Sequence, residues 1–515
     1  MSSSTTQPRP QREQWSGQLG FLMAAIGSAI GLGNIWRFPG VAYTNGGGAF
    51  MVPYIIALLA AGLPVLFLDY ALGHRFRGSA PTVFRRLSRR FEWLGWWQVF
   101  ISFVIMTYYA VVVGWSLAYT VFSVTLAWGD DAGSFFYSYI GLAEEPTFAF
   151  VPILSVIAPL VLVWVFGIIT VARGVAKGVE KANRIFLPLL VVMFLVLVVR
   201  ALLLPGATDG LNALFTPQWG ALGNYEVWLA AFGQIFFSLS VGFGIMLTYA
   251  SYLKPRSNLV GTGLTAAFAN SSFEILAGIG VFATLGFMAH VKNVGVADLE
   301  GITGVGLSFV TFPTVISQMP GGALFGVLFF GSFSMAGLTS FISILQVVAP
   351  AVAEKTGWSV PRATVVAGVS SAVLSVVLFA TTTGLYTLDV VDAYINNIGV
   401  VGSTIIMCVG IGWVLRRTSQ LQRHLNLVSE TRQVGWWWRI LISFVVPVVL
   451  GYMFFQAVGS YAADGYGYGG SFEAVFGWGM LLLGAVLSVV FSLVKWRTPV
   501  DDFQPIDLDV LEGVK

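Results

Sequence analysis

Gly27-Ser28-Ala29-Ile30-Gly31-Leu32-Gly33-Asn34 interrupts the first apolar run of the chain. Ser238-Leu239-Ser240-Val241-Gly242-Phe243-Gly244 interrupts the sixth. A run of about 20 apolar residues crosses a bilayer, and each of these puts glycine and small polar residues near its middle. Glycine costs about 1 kcal/mol in a helix interior. Unwound backbone at membrane depth survives only where protein covers it or it lines a cavity, because hydrocarbon offers its N–H and C=O groups no partner. A single glycine pair is accounted for by close helix packing. Two polar, glycine-rich breaks five spans apart fit a five-plus-five inverted repeat with a midplane site at discontinuous helices. Neither Gly-x-Gly is a dinucleotide fingerprint, since no strand precedes it and the third glycine is missing.

The rest of the chain agrees with a membrane setting. Of 515 residues, 57% are hydrophobic and 10% charged, against about 25% charged in soluble proteins. Apolar runs recur at about 19–43, 48–76, 93–126, 149–172, 183–204, 225–252, 258–289, 321–354, 361–381, 386–415, 436–457 and 472–496. They predict an all-α polytopic membrane protein of twelve transmembrane helices. A barrel would show ten-residue alternation instead. The domains expected are a tail (1–18), a first repeat of spans one to five (19–204), a second repeat of spans six to ten (225–415), spans eleven and twelve (436–497) and a second tail (498–515). Residues 303–320 are moderately apolar with Pro313 and Pro320, and read as a lid-like loop. The termini, 1–10 and 498–515, read as disordered or peripheral.

Twelve spans put both termini on one side. That side receives all but Arg37, Arg200 and Lys292 of the 27 Lys and Arg residues. Such sorting makes it cytoplasmic. A multi-pass protein of a prokaryotic plasma membrane is expected, as a monomer or homodimer. A net charge of +3 argues against nucleic acid, and a single Cys excludes an intramolecular disulfide. Three His and one Cys make a zinc site improbable. The polar start lacks a signal-peptide pattern.

An unwound helix presents free N–H groups on one side of the break and free carbonyls on the other. The N–H end suits a carboxylate. The carbonyls, with Ser, Thr and Asn oxygens, suit Na⁺. Together they point to a zwitterionic substrate moved with sodium.

Gly31-Leu-Gly-Asn-Ile-Trp-Arg-Phe-Pro39, followed by Asn45-Gly-Gly-Gly-Ala-Phe50, resembles the first-span signature of the neurotransmitter:sodium symporters. The similarity is greatest to bacterial members of leucine-transporter type. Gly233 to Gly244 resembles that family's sixth span, Ala336-Gly-Leu-Thr-Ser340 its eighth, and Phe312-Pro-Thr-Val-Ile-Ser-Gln318 its extracellular lid. The match runs over about residues 10–500. The resemblance implies two sodium ions. The first is held by Ala29, Asn34, Ser238 and Asn270, with the substrate carboxylate completing the set. The second is held by Gly27, Ile30, Ala336, Thr339 and Ser340. Ile105, Phe237, Phe243 and Ile344 are expected around the substrate side chain. Tyr109 is expected at the carboxylate, and backbone near Phe237 and Ser240 at the ammonium. Ser28, Ala29, Gly31, Gly33, Ser238 and Ser340 complete the expected substrate site. Amine-transporting members have aspartate where this chain has Gly31, so a neutral, hydrophobic amino acid is expected. Ser28, Ser238, Ile105 and Asn397 depart from a bacterial member's residues and leave the preferred amino acid open.

A charge at the bilayer centre costs about 2.5–3.5 kcal/mol on insertion scales and is functional by default. Glu274, four residues after Asn270, shares its helix face. The resemblance puts it where chloride-dependent members have serine beside bound chloride. Chloride-independent transport is therefore expected, with proton counter-transport if Glu274 is protonated on the return step. A structural ion pair is the alternative. Arg37 and Asp392 are expected to bridge as an outer gate, Arg12 and Glu354 as an inner gate, with Trp15 plugging the inner vestibule. A proton-coupled or exchanging amino-acid carrier of a related fold is the competing function. A membrane enzyme is disfavoured because no acid/base, nucleophile or metal constellation appears among the spans.

Overall fold

The computed structural model describes residues 13–299, 301, 304–429, 433–503, 505–506 and 508. Among them, regular structure is helical, with two isolated bridges, Gly47 with Pro217 and Pro152 with Thr381. Ten helices are long and apolar enough to cross a membrane. They are Gly48–Phe76, Arg89–Phe122, Leu154–Ala172, Val175–Leu202, Leu259–Lys292, Gly322–Thr356, Val360–Phe379, Gly384–Val414, Trp436–Ala463 and Gly470–Leu493, the second to fifth and seventh to twelfth spans. The first span is Gln18–Ala29 and Leu32–Thr44, bent by 50° at the break. The sixth is two shorter pieces, Tyr225–Ser238 and Ile245–Ala250. All twelve lie where the apolar runs put them. The fifth begins earlier than expected, at Val175, because its early charge is spoken for. Glu180 pairs with Arg184 at 2.7 Å and accepts from the Ser16 N–H at 2.9 Å.

The spans divide into an inner set and a lipid-facing set. The apolar stretch of the eighth is 89% buried and that of the third 83%, but those of the eleventh and twelfth only 22%. Phe455 and Leu482 stand on the outer faces of these last two spans, 73% and 67% exposed. Such exposure has no cost in hydrocarbon. The broken spans lie inside, with Ala24, Ala25, Ile30, Leu239 and Val241 all buried.

Backbone geometry at the breaks follows from the residues there. Ile30 and Gly31 leave the helix for extended conformations, ψ 94° and φ −121°. In the sixth span Gly242 and Gly244 take φ of +82° and +93°, a region open to glycine at little cost. Ser240 takes φ +54° without that freedom, a strain that persists only where surroundings enforce it.

The segment expected as a lid is a run of short helical pieces, Gly304–Gly306, Leu307–Thr311 and Phe312–Gln318. It buries Phe309 against Phe136 and Phe330 at ring separations of 5.3 and 5.9 Å. The C-terminal stretch after the last span departs from expectation: its described part is strapped to the protein. Asp501 pairs with Arg85 and Arg89, both at 2.9 Å. The Arg86 guanidinium lies 3.9 Å over the Phe503 ring. The Arg85 hydrogen bonds hold the Asp501 carboxyl below its usual range. Its partners stand more than 400 positions away, so nothing local announces the docking.

Candidate substrate and sodium site

The two breaks meet each other. The Ser28 carbonyl, freed by the first break, accepts from Ser240 Oγ of the sixth span and from Ser340 Oγ of the eighth, both at 3.2 Å. Gly31 N–H donates to Asn34 Oδ1 at 3.0 Å, and Leu32 N–H to the Tyr109 hydroxyl at 3.4 Å. The glycines are needed for space as much as for bending. A Cβ on Gly31 would lie 2.9 Å from Ser340 Oγ, and one on Gly33 would lie 2.1 Å from the Phe237 ring. In the sixth span, Gly242 N–H donates to Asp69 at 3.2 Å. The Gly242 and Phe243 carbonyls accept from Ser403 and Ser102 at 2.8 and 2.9 Å. Each unwound group named here has a partner, the Gly31 N–H within its own span and the others on another span, as hydrocarbon depth requires.

Between the breaks lies a cavity of about 620 Å³, its mouth and adjoining open space included. Ser28, Ala29, Gly31, Gly33, Ile105, Tyr109, Phe237, Ser238, Ser240, Phe243, Ser340 and Ile344 all line it. So do Tyr108, Asn396 and Val400, which sequence reasoning missed. One end is polar: backbone at the breaks, serine hydroxyls, Asn34 and Tyr109. The other is apolar: Ile105, Phe243, Ile344 and Val400. Among the described residues, Asp392 is the single charged one on the wall. Ser28 Oγ is buried with no hydrogen-bond partner among the described residues, which leaves it available to a ligand.

The residues expected around the first sodium form a chain across three spans. Asn34 Nδ2 donates to Asn270 Oδ1 at 2.8 Å, and Asn270 Nδ2 donates to Ser238 Oγ at 3.0 Å. Ala29 stands on the same cavity wall as Asn34 and Ser238. The residues expected around the second lie where the first and eighth spans touch. Thr339 Oγ1 donates to the Ala336 carbonyl at 2.9 Å. A Cβ on Gly27 would stand 3.6 Å from that of Thr339. Ile30, at the break itself, is buried. Both sets offer oxygen, the donor a hard cation prefers.

Glu274 is fully buried behind the asparagine chain. It accepts from the Tyr54 hydroxyl and from Gln234 Nε2, the latter at 2.7 Å. It forms no ion pair among the described residues, Arg37 acts on it from a distance, and it stands one helical turn from Asn270 of the Asn34–Asn270–Ser238 chain.

The outer gate differs from expectation. Arg37 and Asp392 form no direct bridge. The guanidinium rests 4.6 Å over the Phe237 ring. The carboxylate accepts from the Tyr108 hydroxyl at 2.6 Å and from Asn396 Nδ2 at 2.8 Å. Neutral donors on the same helix face and on the third span have taken the lone pairs that charge alone assigned to arginine. Asn396 follows Asp392 by four residues, the spacing of helix-face neighbours, and that signal was legible.

The inner side is closed. Trp15 is 2% exposed. Its indole donates to the Tyr249 carbonyl at 2.9 Å, and its ring meets Tyr249, Tyr252 and Phe21 edge-on. Glu354 accepts from Ser79 Oγ at 2.7 Å and from Thr82. Arg12 lies outside the described residues. Removing a buried tryptophan side chain costs about 3–5 kcal/mol. Trp15→Ala is expected to shift the balance toward an open inner vestibule by about 100-fold, roughly 3 kcal/mol. Hydrogen exchange of residues 14–28 is the measurement: faster exchange is expected, and wild-type protection would refute the plug.

This geometry is that of a membrane carrier with a central site at two broken helices. The family model of the sodium:neurotransmitter symporters matches residues 12–139 and 149–498, and the chain belongs to that family. An uncharacterized sodium-dependent transporter of Methanocaldococcus jannaschii is 38% identical over 491 residues, 94% of this chain and 98% of that one. The sodium-dependent serotonin transporter of Drosophila melanogaster is 29% identical, covering 87% of this chain and 77% of its own. The crystal structure of MhsT in complex with L-phenylalanine superposes with a TM-score of 0.73 at 30% identity, over 87% of this chain and all of that one. The protein is a sodium-dependent symporter, a multi-pass membrane protein that binds a small-molecule substrate, and not an enzyme.

Proposed function

We propose that this symporter imports a neutral, hydrophobic amino acid together with two sodium ions by alternating access. The observation that carries this reading is one cavity with two unlike ends. The polar end offers unwound backbone, serine hydroxyls and the asparagine chain to a carboxylate, an ammonium and an ion. The apolar end offers Ile105, Phe243, Ile344 and Val400 to a side chain without charge. The phenylalanine held by MhsT is of that class.

In this reading Asn34, Ser238, Asn270 and the Ala29 carbonyl hold the first ion. Thr339, Ser340 and the carbonyls of Gly27, Ile30 and Ala336 hold the second. Tyr109 meets the substrate carboxylate. Glu274 supplies the negative charge that chloride supplies in other members, so transport needs no chloride, and its protonation on the return step carries a proton outward. Asp392 and Arg37 close the outer side around Phe237; Trp15 and Glu354 close the inner side. Substrate and sodium favour occlusion only through their higher affinity for that state. The two five-span repeats move against each other, in a prokaryotic plasma membrane with both termini in the cytoplasm.

The test is equilibrium binding of each of the twenty amino acids to detergent-purified protein, in sodium and in potassium. One or a few hydrophobic amino acids are expected to bind in sodium, at least 100-fold more weakly in potassium (on the order of 3 kcal/mol of coupling). Equal binding in both salts would move the protein to a proton-driven or exchanging mechanism. No binding in either would overturn the amino-acid assignment.

A further inference from the structure

The arginine-rich ends of the tenth and eleventh spans enclose a cleft apart from the substrate cavity. The tenth span ends in a wide turn, Gly410–Val414, and the eleventh carries another, Leu441–Val445. The two spans touch at Gly412, where a Cβ would stand 2.9 Å from Ser443 Oγ. Trp413 Nε1 donates to the Ser443 carbonyl at 2.7 Å, and its ring meets Phe444 at 5.5 Å. Beyond this contact the chains part around a cleft of about 1350 Å³, mouth included. It shares no lining residue with the substrate cavity.

Arg416 and Arg439 both line the cleft, one from each span, beside Ser419. Neither has an acidic partner, a hydrogen bond or a ring contact among the described residues. The neighbouring Arg417, by contrast, donates to Gln420 at 2.8 Å. Arg416 takes a left-handed φ of +52°, a conformation that costs a residue with a Cβ energy. It turns the chain there from the span into the helix Thr418–Val428. Two guanidinium groups on one cleft repel unless an anion lies between them. Their planar donors match a phosphate. The opposite wall is apolar and open to the bilayer: Trp413, Ile440 and Phe444 are 53%, 44% and 54% exposed. Tryptophans beside arginines mark the headgroup level of a membrane, and basic pockets between spans take anionic lipid headgroups.

We propose that this cleft binds an anionic glycerophospholipid, its phosphate between Arg416 and Arg439 and an acyl chain along Trp413 and Phe444. A free phosphate shares the headgroup chemistry but leaves the apolar wall uncovered.

Native mass spectrometry of the detergent-purified, delipidated full chain tests this. Three probes are compared: dioleoylphosphatidylglycerol, dioleoylphosphatidylcholine and inorganic phosphate. The phosphatidylglycerol is expected to bind selectively. R416Q/R439Q is expected to weaken it about 30-fold and each single variant about fivefold, from the roughly 1 kcal/mol that one arginine contributes near an anionic headgroup. R416K/R439K is expected to lose only a few-fold, and R417Q nothing. Equal binding of phosphatidylcholine overturns the proposal. So does inorganic phosphate competing fully at equal concentration, or an unchanged affinity in R416Q/R439Q. The comparison of the three probes on the wild-type protein stands even if a variant does not fold.

Discussion

Glu274→Ser is expected to make transport require chloride. The carboxylate is fully buried, forms no direct ion pair among the described residues, and holds hydrogen bonds from Tyr54 and Gln234. Asn270, one helical turn away, reaches Ser238 at 3.0 Å, so the charge lies directly behind the first proposed ion. At the effective dielectric of protein interiors such a charge contributes on the order of 2 kcal/mol to a bound cation, about 30-fold in affinity. Serine removes it and frees the Gln234 amide, and the Tyr54 hydroxyl keeps Ser271 Oγ at 2.9 Å as its other partner. With the new serine hydroxyl these form three donors around a vacated position, the surroundings an anion needs. Uptake by the variant is therefore expected to fall at least tenfold in gluconate and to recover with saturable dependence on chloride. Wild-type uptake is expected to be the same in either salt. A variant active without chloride, or a wild type that needs it, would show that Glu274 does not carry this charge.

The second large effect is expected from Asn270→Ala. This side chain receives a hydrogen bond from Asn34 and gives one to Ser238, at 2.8 and 3.0 Å. Truncation removes a proposed ion ligand and leaves two buried polar partners unsatisfied, each at about 1–3 kcal/mol. Apparent sodium affinity, read from the sodium dependence of substrate binding, is expected to fall at least 100-fold. Melting temperature in potassium separates this from misfolding, because ion binding adds nothing there. A variant with wild-type sodium dependence and normal melting would mean that the asparagine chain is structural alone.

Much of the frame was legible in the chain. Apolar runs of span length are local, and hydrocarbon forces them into helices. The glycine clusters at Gly31–Gly33 and Gly242–Gly244 marked the breaks because each costs a helix energy wherever it stands. Glu274 was legible as a charge within a span. Its donors were not: Tyr54 and Gln234 stand 220 and 40 positions away. Asp69 was overlooked, although a carboxylate within the second span is the same kind of signal. It caps the Gly242 N–H of the sixth break. The outer gate failed as a direct bridge for a related reason. Opposite charges in a sequence suggest a pair, but Tyr108 and Asn396 satisfy Asp392 at shorter range. The strap of Asp501 on Arg85 and Arg89 likewise depends on segments far apart in the chain that only folding brings together.

By itself, then, the sequence determined the number of spans, their sorting by charge and the two places where helix must give way. Each is an energy of single segments: transfer into hydrocarbon, the cost of glycine, the cost of a charge. The tertiary structure alone decided which oxygens face one another at those breaks, which donors hold Glu274 and Asp392, and where Arg416 and Arg439 are left facing one cleft. Those outcomes are pairwise energies between residues far apart in the chain. Burial makes them large, because a polar group without water must find its partner in another span.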